Sequence, residues 1–346
     1  MPPELRVHLC KPERTDALAD ELHRTLPDAK HRVVAPGRID AELDDSDSRA
    51  ELALAFAAQV MPGCAHFEGG SVNALATSAG EMLAQALANH EGPWRLHAFA
   101  LAEASPGRAR LIAEALDGWL QKKQRRLRRT RNPDAEGPWR AGEALVQLAL
   151  EQSSQGLLSV ALPETRTVLR HVLSTFVEGK CPVPRDPKPP SRAYQKLLEA
   201  ERRLHRPIGQ GESVVDLGAS PGGWTFVALQ RGARVTAVDR SPLRDDLMQN
   251  PRLQFVKADA FTWHPAAEVD WLICDLIAFP ERTLELLEDW LANARCRRFV
   301  VTMKFRGSED YLRVDAMKAL LTRRARAFQL RALDANKNEV TAMGER

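Results

Sequence analysis

The sequence predicts an α/β protein: a Rossmann-like, doubly wound sheet in the C-terminal half behind an N-terminal α+β region. Three observations carry this. The half after residue 190 alternates short apolar runs with helical spacing. A glycine-rich turn follows the first of those runs and opens a helix. The proline-rich stretch from Gly179 to Pro190 suits neither a helix nor a central strand, so it reads as an extended linker.

The N-terminal elements come first. Leu5 to Cys10 alternates apolar and polar residues, as a half-buried strand does. Asp16 to Leu26 spaces Ala17, Leu18, Leu22 and Leu26 along one helical face. Ser48 to Val60 reads as a second apolar helix, and Trp94 to Leu101 as a strand. Ala109 to about Leu127 reads as a helix with Ile112, Leu116, Trp119 and Leu120 inward. Ala141 to Gln152 reads as another helix and Gly156 to Leu162 as a strand.

Beyond the linker, strands are expected at Ser213–Leu217, Arg234–Val238, Leu253–Lys257, Trp271–Cys274 and Phe299–Met303. Helices are expected at Trp224–Arg231, Thr283–Ala294 and Tyr311–Ala325. A final strand is expected to start near Glu339. The expected division is 1–75 for an α+β subdomain, 76–178 for a second, 179–190 for the linker and 191–346 for the doubly wound domain.

Composition sets bounds. The 346 residues are 44% hydrophobic and 27% charged, ordinary for a folded chain. No apolar run approaches the ~20 residues that span a membrane. The start, Met1-Pro2-Pro3-Glu4, lacks a basic region followed by an apolar stretch, so no secretion signal is expected and the expected location is the cytoplasm. The cysteines Cys10, Cys64, Cys181, Cys274 and Cys296 are scattered and never spaced CxxC. Neither a disulfide framework nor a metal site is expected. The net charge of +3 is too mild to decide for a nucleic-acid partner.

The turn reads Asp216-Leu217-Gly218-Ala219-Ser220-Pro221-Gly222-Gly223-Trp224-Thr225. Its glycine spacing and Pro221 differ from the dinucleotide fingerprint, and no GK[ST] follows. Taken alone it is also compatible with a plain strand-to-helix turn. Asp239 ends the next expected strand, where an acid can accept from ribose hydroxyls. Asp259 follows the third strand, where an acid can bond an adenine amino group, and Asp275 ends the fourth. Any one of them can equally be a helix N-cap. The series behind one such turn is harder to assign to capping.

The turn is similar to the S-adenosylmethionine loop of the FtsJ-type ribose 2'-O-methyltransferases. Just upstream, Ser191-Arg192-Ala193-Tyr194-Gln195-Lys196-Leu197-Leu198-Glu199 resembles that family's SRAxxKLxE helix. The resemblance covers about 191–346. Within the family, the two-part layout and the Ser-Arg and Pro-Gly-Gly-Trp-Thr motifs are most similar to the RlmM-like branch, which methylates a cytidine ribose of 23S rRNA and carries a THUMP-containing region.

The resemblance implies S-adenosylmethionine as cofactor, with Ser191, Gly218, Ser220, Pro221, Gly222, Gly223, Trp224, Asp239, Asp259 and Asp275 around it. It implies a catalytic set of Lys196, Asp275, Lys304 and Glu339. Sheet geometry supports that set. Asp275 and Lys304 both end strands, and an antiparallel last strand would start Glu339 at the same edge. A ribose hydroxyl is a poor nucleophile and must lose its proton as it attacks. A lysine beside another cation can take that proton. The expectation is Lys304 as base, Lys196 as neighbouring cation, and Asp275 and Glu339 as holders.

The strongest basic run holds Lys122, Lys123, Arg125, Arg126, Arg128 and Arg129. It can neutralise RNA phosphates, or be a solvated helix end. Trp94 to Leu162 is similar in layout to a THUMP domain, an RNA-binding module. The leading expectation is an RNA ribose methyltransferase. A small-molecule O-methyltransferase and a non-catalytic RNA-binding or assembly factor are the rivals.

Overall fold

The computed structural model describes residues 3–44, 47, 52–102 and 104–346. It divides into two compact units, Met1–Lys180 and Cys181–Arg346.

In the first unit, β1 (Glu4–Leu9) is followed by α1 (Thr15–Thr25), β2 (Lys30–Ala35), β3 (Arg38–Leu43), β4 (Gln59–Met61) and β5 (Ala65–Glu68). Then come α2 (Val72–Ala86), β6 (Trp94–Ala100), α3 (Pro106–Lys123), α4 (Arg125–Thr130), β7 (Ala144–Gln152), β8 (Gln155–Ala161) and α5 (Pro163–Val168). They form two four-stranded sheets, ordered β2-β3-β1-β4 and β5-β8-β7-β6. Helices α2 and α3 cover the second sheet, burying Leu75, Leu83, Ile112, Leu116 and Leu120 against Leu96, Val146 and Leu148. A smaller cluster of Val7, Leu9, Met61, Phe99 and Leu157 is shared by strands of both sheets.

Three sequence expectations are corrected here. Of the expected helix Ser48–Val60, residues 48–51 lie outside the described part, 52–58 are not helical, and Gln59–Met61 is strand. The apolar residues Leu52, Leu54 and Phe56 are buried, but the amides of Ala55 and Phe56 donate to the Glu21 carboxylate at 2.8 and 3.0 Å. A buried carboxylate takes the place of helical acceptors.

The expected helix Ala141–Gln152 is instead strand β7. It pairs in parallel with β6 and antiparallel with β8, and every residue from Ala144 to Leu150 is buried. A strand covered on both faces loses the alternation that marks a strand, and its Ala and Leu content then imitates a helix. The third correction is a break in the basic helix. Gln124 leaves the helical region (φ −139°, ψ 60°) and separates α3 from α4.

The second unit continues with α6 (Tyr194–Arg203), β9 (Ser213–Leu217), α7 (Gly223–Gln230), β10 (Arg234–Asp239), α8 (Asp245–Met248), β11 (Leu253–Lys257) and β12 (Val269–Cys274). It ends with α9 (Pro280–Ala292), β13 (Cys296–Lys304), α10 (Arg313–Arg324), β14 (Ala327–Arg331) and β15 (Glu339–Glu345). The sheet order is β11-β10-β9-β12-β13-β15-β14. Strands β9 to β13 pair in parallel, and β15 is antiparallel to both neighbours. The order reverses between β9 and β12, the crevice where open α/β sheets bind ligands at the carboxyl ends of their strands. The core beneath holds Leu197, Trp224, Ala228, Trp271, Ile273 and Met343. Thus the doubly wound sheet expected from the sequence is present, with β14 as an extra edge strand. No helix among the described residues is long and apolar enough to cross a membrane.

Candidate active site

The turn after β9 sits at that crevice. Gly218 (φ 74°) and Gly222 (φ 111°) lie in the left-handed region, where a side chain is strained. A Cβ on Gly218 would strike the Leu276 side chain, and one on Gly222 would strike Leu247. Gly223 is bare because Ser191 occupies the space a Cβ would need. Ser220 and Pro221 are joined by a cis peptide bond. The Trp224 indole is buried and donates to the Ala193 carbonyl at 2.7 Å. Its side chain therefore ties the Ser191–Ala193 segment to the turn from within the core.

Asp239 closes the turn from β10. Its carboxylate accepts from the amides of Ser220 at 3.0 Å and Ser241 at 2.8 Å. Asp259 accepts from the Phe261 amide at 2.9 Å and from Arg240 at 2.5 Å. The Phe261 amide first, then Arg240, hold its carboxyl below the ordinary range. A carboxylate has about four lone-pair sites, so each keeps acceptor capacity for a hydroxyl or an amine. A tight, glycine-rich turn beside two such acids fits an adenosine-bearing cofactor.

One acid in this region went unassigned in the sequence reading. Asp216, the last residue but one of β9, is fully enclosed and accepts from the Thr225 hydroxyl at 2.6 Å. Burial pushes its carboxyl up to about 7, against the lowering effect of Thr225. The signal was available, since an acid inside the apolar run Val-Val-Asp-Leu must be buried. Leu276, which fills the space over Gly218, carried no comparable signal.

The four residues expected to be catalytic converge. Asp275 directly follows β12. Lys304 ends β13, and Glu339 opens β15 as its cross-strand partner. Lys196 lies in the first turn of α6, on the helix face that also buries Leu197 and Ala200. The Lys196 ammonium meets Asp275 Oδ1 at 3.0 Å and Glu339 Oε1 at 2.6 Å. The Lys304 ammonium meets Asp275 Oδ1 at 3.2 Å and its backbone carbonyl at 2.9 Å. Burial would raise the Glu339 carboxyl, but the charge and hydrogen bond of Lys196 outweigh it and hold the carboxyl below its ordinary range. The two amines differ. Lys196 has two carboxylates and a side chain 9% exposed, whereas Lys304 has one carboxylate and is 23% exposed.

The basic run is less uniform than its sequence. Arg126 donates to the carbonyls of Leu87 and His90 at 2.8 and 2.5 Å, capping the end of α2. Arg128 pairs with Asp117 at 3.3 Å. Lys122, Lys123, Arg125 and Arg129 are exposed.

Residues 189–304 match the model of the family described as FtsJ-like methyltransferase, a span holding Lys196, Asp275 and Lys304. The "Ribosomal RNA large subunit methyltransferase M" of Azoarcus sp. (strain BH72) is 37% identical over 164 residues, covering 44% of this chain and 45% of that protein. The protein of the same name from Pseudomonas putida (strain W619) is 40% identical over 150 residues, covering 42% and 41%. That from Pseudomonas fluorescens (strain Pf0-1) is 34% identical over 213 residues, covering 57% and 58%. The chain thus spans about half the length of the curated relatives it matches. The crevice turn, the acid series and the Lys-Asp-Lys set all lie in the span 189–304, over which the C-terminal unit is similar to the FtsJ-like methyltransferase family.

Proposed function

We propose that this chain transfers a methyl group from S-adenosylmethionine to a ribose 2'-hydroxyl of RNA, with a cytidine of 23S rRNA as target. One observation carries the reading: Asp275 is shared by two lysine amines at the rim next to the cofactor turn. Such a pair suits a hydroxyl that must be aligned and stripped of a proton. When bound, the donor supplies a methyl on a positively charged sulfur, which keeps the electron pair of the broken C–S bond.

The chain's residues do the rest. Lys304, once its ammonium has released a proton to solvent, takes the hydroxyl proton on the lone pair of its neutral Nζ as the new O–C bond forms. Its position toward solvent lets that proton leave afterwards. Lys196, clamped between Asp275 and Glu339, fixes Asp275. Asp275 in turn holds Lys304 at the rim through both its side chain and its carbonyl.

In this reading the first unit is a THUMP-like RNA-binding region, with subdomains at 1–75 and 76–178 ahead of a linker at 179–190. Lys122, Lys123, Arg125 and Arg129 contact phosphates there, while Arg126 and Arg128 chiefly support the fold. In this reading the chain works in the cytoplasm, which the relatives' name as ribosomal RNA methyltransferases supports. The test is transfer of labelled methyl to unmodified 23S rRNA followed by alkaline digestion. Label in alkali-resistant dinucleotides is expected. Label only in mononucleotides would indicate base methylation, and label only on small molecules would favour that rival.

A further inference from the structure

The segment between β12 and α9 holds an exposed apolar feature beside the catalytic pair. Asp275 to Phe279 has no regular structure. Leu276 turns toward Gly218, but Ile277 is 90% exposed and Phe279 50% exposed. So bare an isoleucine, two residues from a catalytic aspartate, gains nothing from burial. The Arg306 guanidinium lies over the Phe279 ring at 4.2 Å. Arg306 stands two residues beyond Lys304, and it is exposed.

The same two chain segments are thus bridged twice. One bridge is the Lys304–Asp275 ion pair, and the other is the Arg306–Phe279 stack. Consecutive Cα atoms are about 3.8 Å apart, so each member of the stack lies within roughly 8 to 15 Å of its catalytic neighbour along the chain. That is the reach of one nucleotide. Planar cations and aromatic rings are the groups on which unstacked bases lie. A guanidinium also balances phosphate charge, which a purely apolar protein contact would not need.

We propose that Phe279 and Arg306 form the platform for a nucleobase of the substrate strand, with Ile277 as the apolar wedge that keeps that base from its neighbour. The proposal rests on the RNA reading given above. The platform acts on binding and positioning. It selects a base that is already out of a duplex, because a paired base offers no free face.

The test compares Phe279→Ala, Phe279→Trp, Ile277→Ser and the full chain with unmodified 23S rRNA as acceptor. Stacking of one base corresponds to roughly a ten- to hundred-fold change in affinity. The Ala variant is expected to raise KM for RNA by that factor, with kcat reduced far less. The Trp variant is expected to restore it, and Ile277→Ser to raise KM by several-fold. A single-stranded oligonucleotide carrying 2-aminopurine is expected to lose fluorescence on binding the wild type and to stay bright with Phe279→Ala. Normal RNA KM in the Ala variant, beside an active wild type, overturns the platform and leaves the RNA reading standing. No transfer to RNA by the wild type overturns both. Loss in the Ala variant that Trp does not restore also overturns the stacking role.

Discussion

Lys304 and Glu339 face each other in register across the antiparallel pair β13 and β15. The last parallel strand ends where the returning strand begins, so an amine and a carboxylate from residues far apart in sequence share one rim. Lys196 closes the set from above, bonded to Glu339 at 2.6 Å. β15, antiparallel to both of its neighbours, therefore supplies the fourth corner of the site.

Replacing Glu339 with Gln removes one of the two carboxylates that hold Lys196. A charge-assisted hydrogen bond is worth about 1.5–3 kcal/mol, so methyl transfer is expected to fall about ten- to a hundred-fold. The variant also changes the acid response. Glu339 titrates below its ordinary value of 4.5 in the folded state. Its contribution to stability is present above 4.5 and is lost as pH falls through the lowered value. Denaturant titrations between pH 5 and 3 are expected to show a shallower loss for Glu339→Gln than for the wild type. Parallel curves would mean that Lys196 does not depress this acid.

Asp216 has the opposite sign. The folded protein keeps its proton up to about 7, whereas the unfolded chain loses it near 3.8. In that window the unfolded state binds fewer protons, so this group makes stability fall as pH rises, by at most about 1.4 kcal/mol per pH unit. Above 7 the effect levels off. Asp216→Asn is expected to gain stability relative to the wild type at pH 8 compared with pH 5, in cofactor-free protein followed by urea unfolding. An unchanged difference between the two pH values would mean that Asp216 is ionised throughout.

Gly222 tests the cofactor turn. At φ 111° with Leu247 against it, an alanine is strained and crowded. Such backbone strain costs about 1–3 kcal/mol. Gly222→Ala is expected to weaken S-adenosylhomocysteine binding by about ten-fold or more in calorimetry. Wild-type affinity would place the cofactor elsewhere.

The basic run separates into two kinds of residue. Changing Lys122, Lys123, Arg125 and Arg129 together to Gln is expected to weaken RNA binding and flatten its salt dependence, by up to about 3 in the log–log slope. Arg126→Ala is expected to lower Tm instead, because its carbonyl partners at the end of α2 lose their donor. Equal salt slopes for wild type and quadruple variant would remove this surface from RNA contact.

Much of the second unit was legible because its strands end in informative residues. Asp239 and Lys304 close β10 and β13, and Asp275 follows β12. Carboxyl ends of parallel strands share an edge, so these residues could be expected to lie near one another. The first unit was harder. β7 is buried on both faces and lost its alternation, and the segment after Leu52 is held by Glu21 from another element. Arg126 reads as a surface cation in sequence, yet its partners are carbonyls 36 and 39 residues away. Such partners are set by tertiary packing, which local patterns do not encode.

The most direct test of the account is Lys304→Ala under single-turnover conditions with unmodified 23S rRNA, alongside S-adenosylhomocysteine binding. Loss of a positioned base typically costs about 10²–10⁴ in rate. The expected result is a fall of that size in transfer to ribose, with product affinity within a few-fold of wild type. Transfer at the wild-type rate would contradict the account, because the amine at the end of β13 would then have no part in removing the proton.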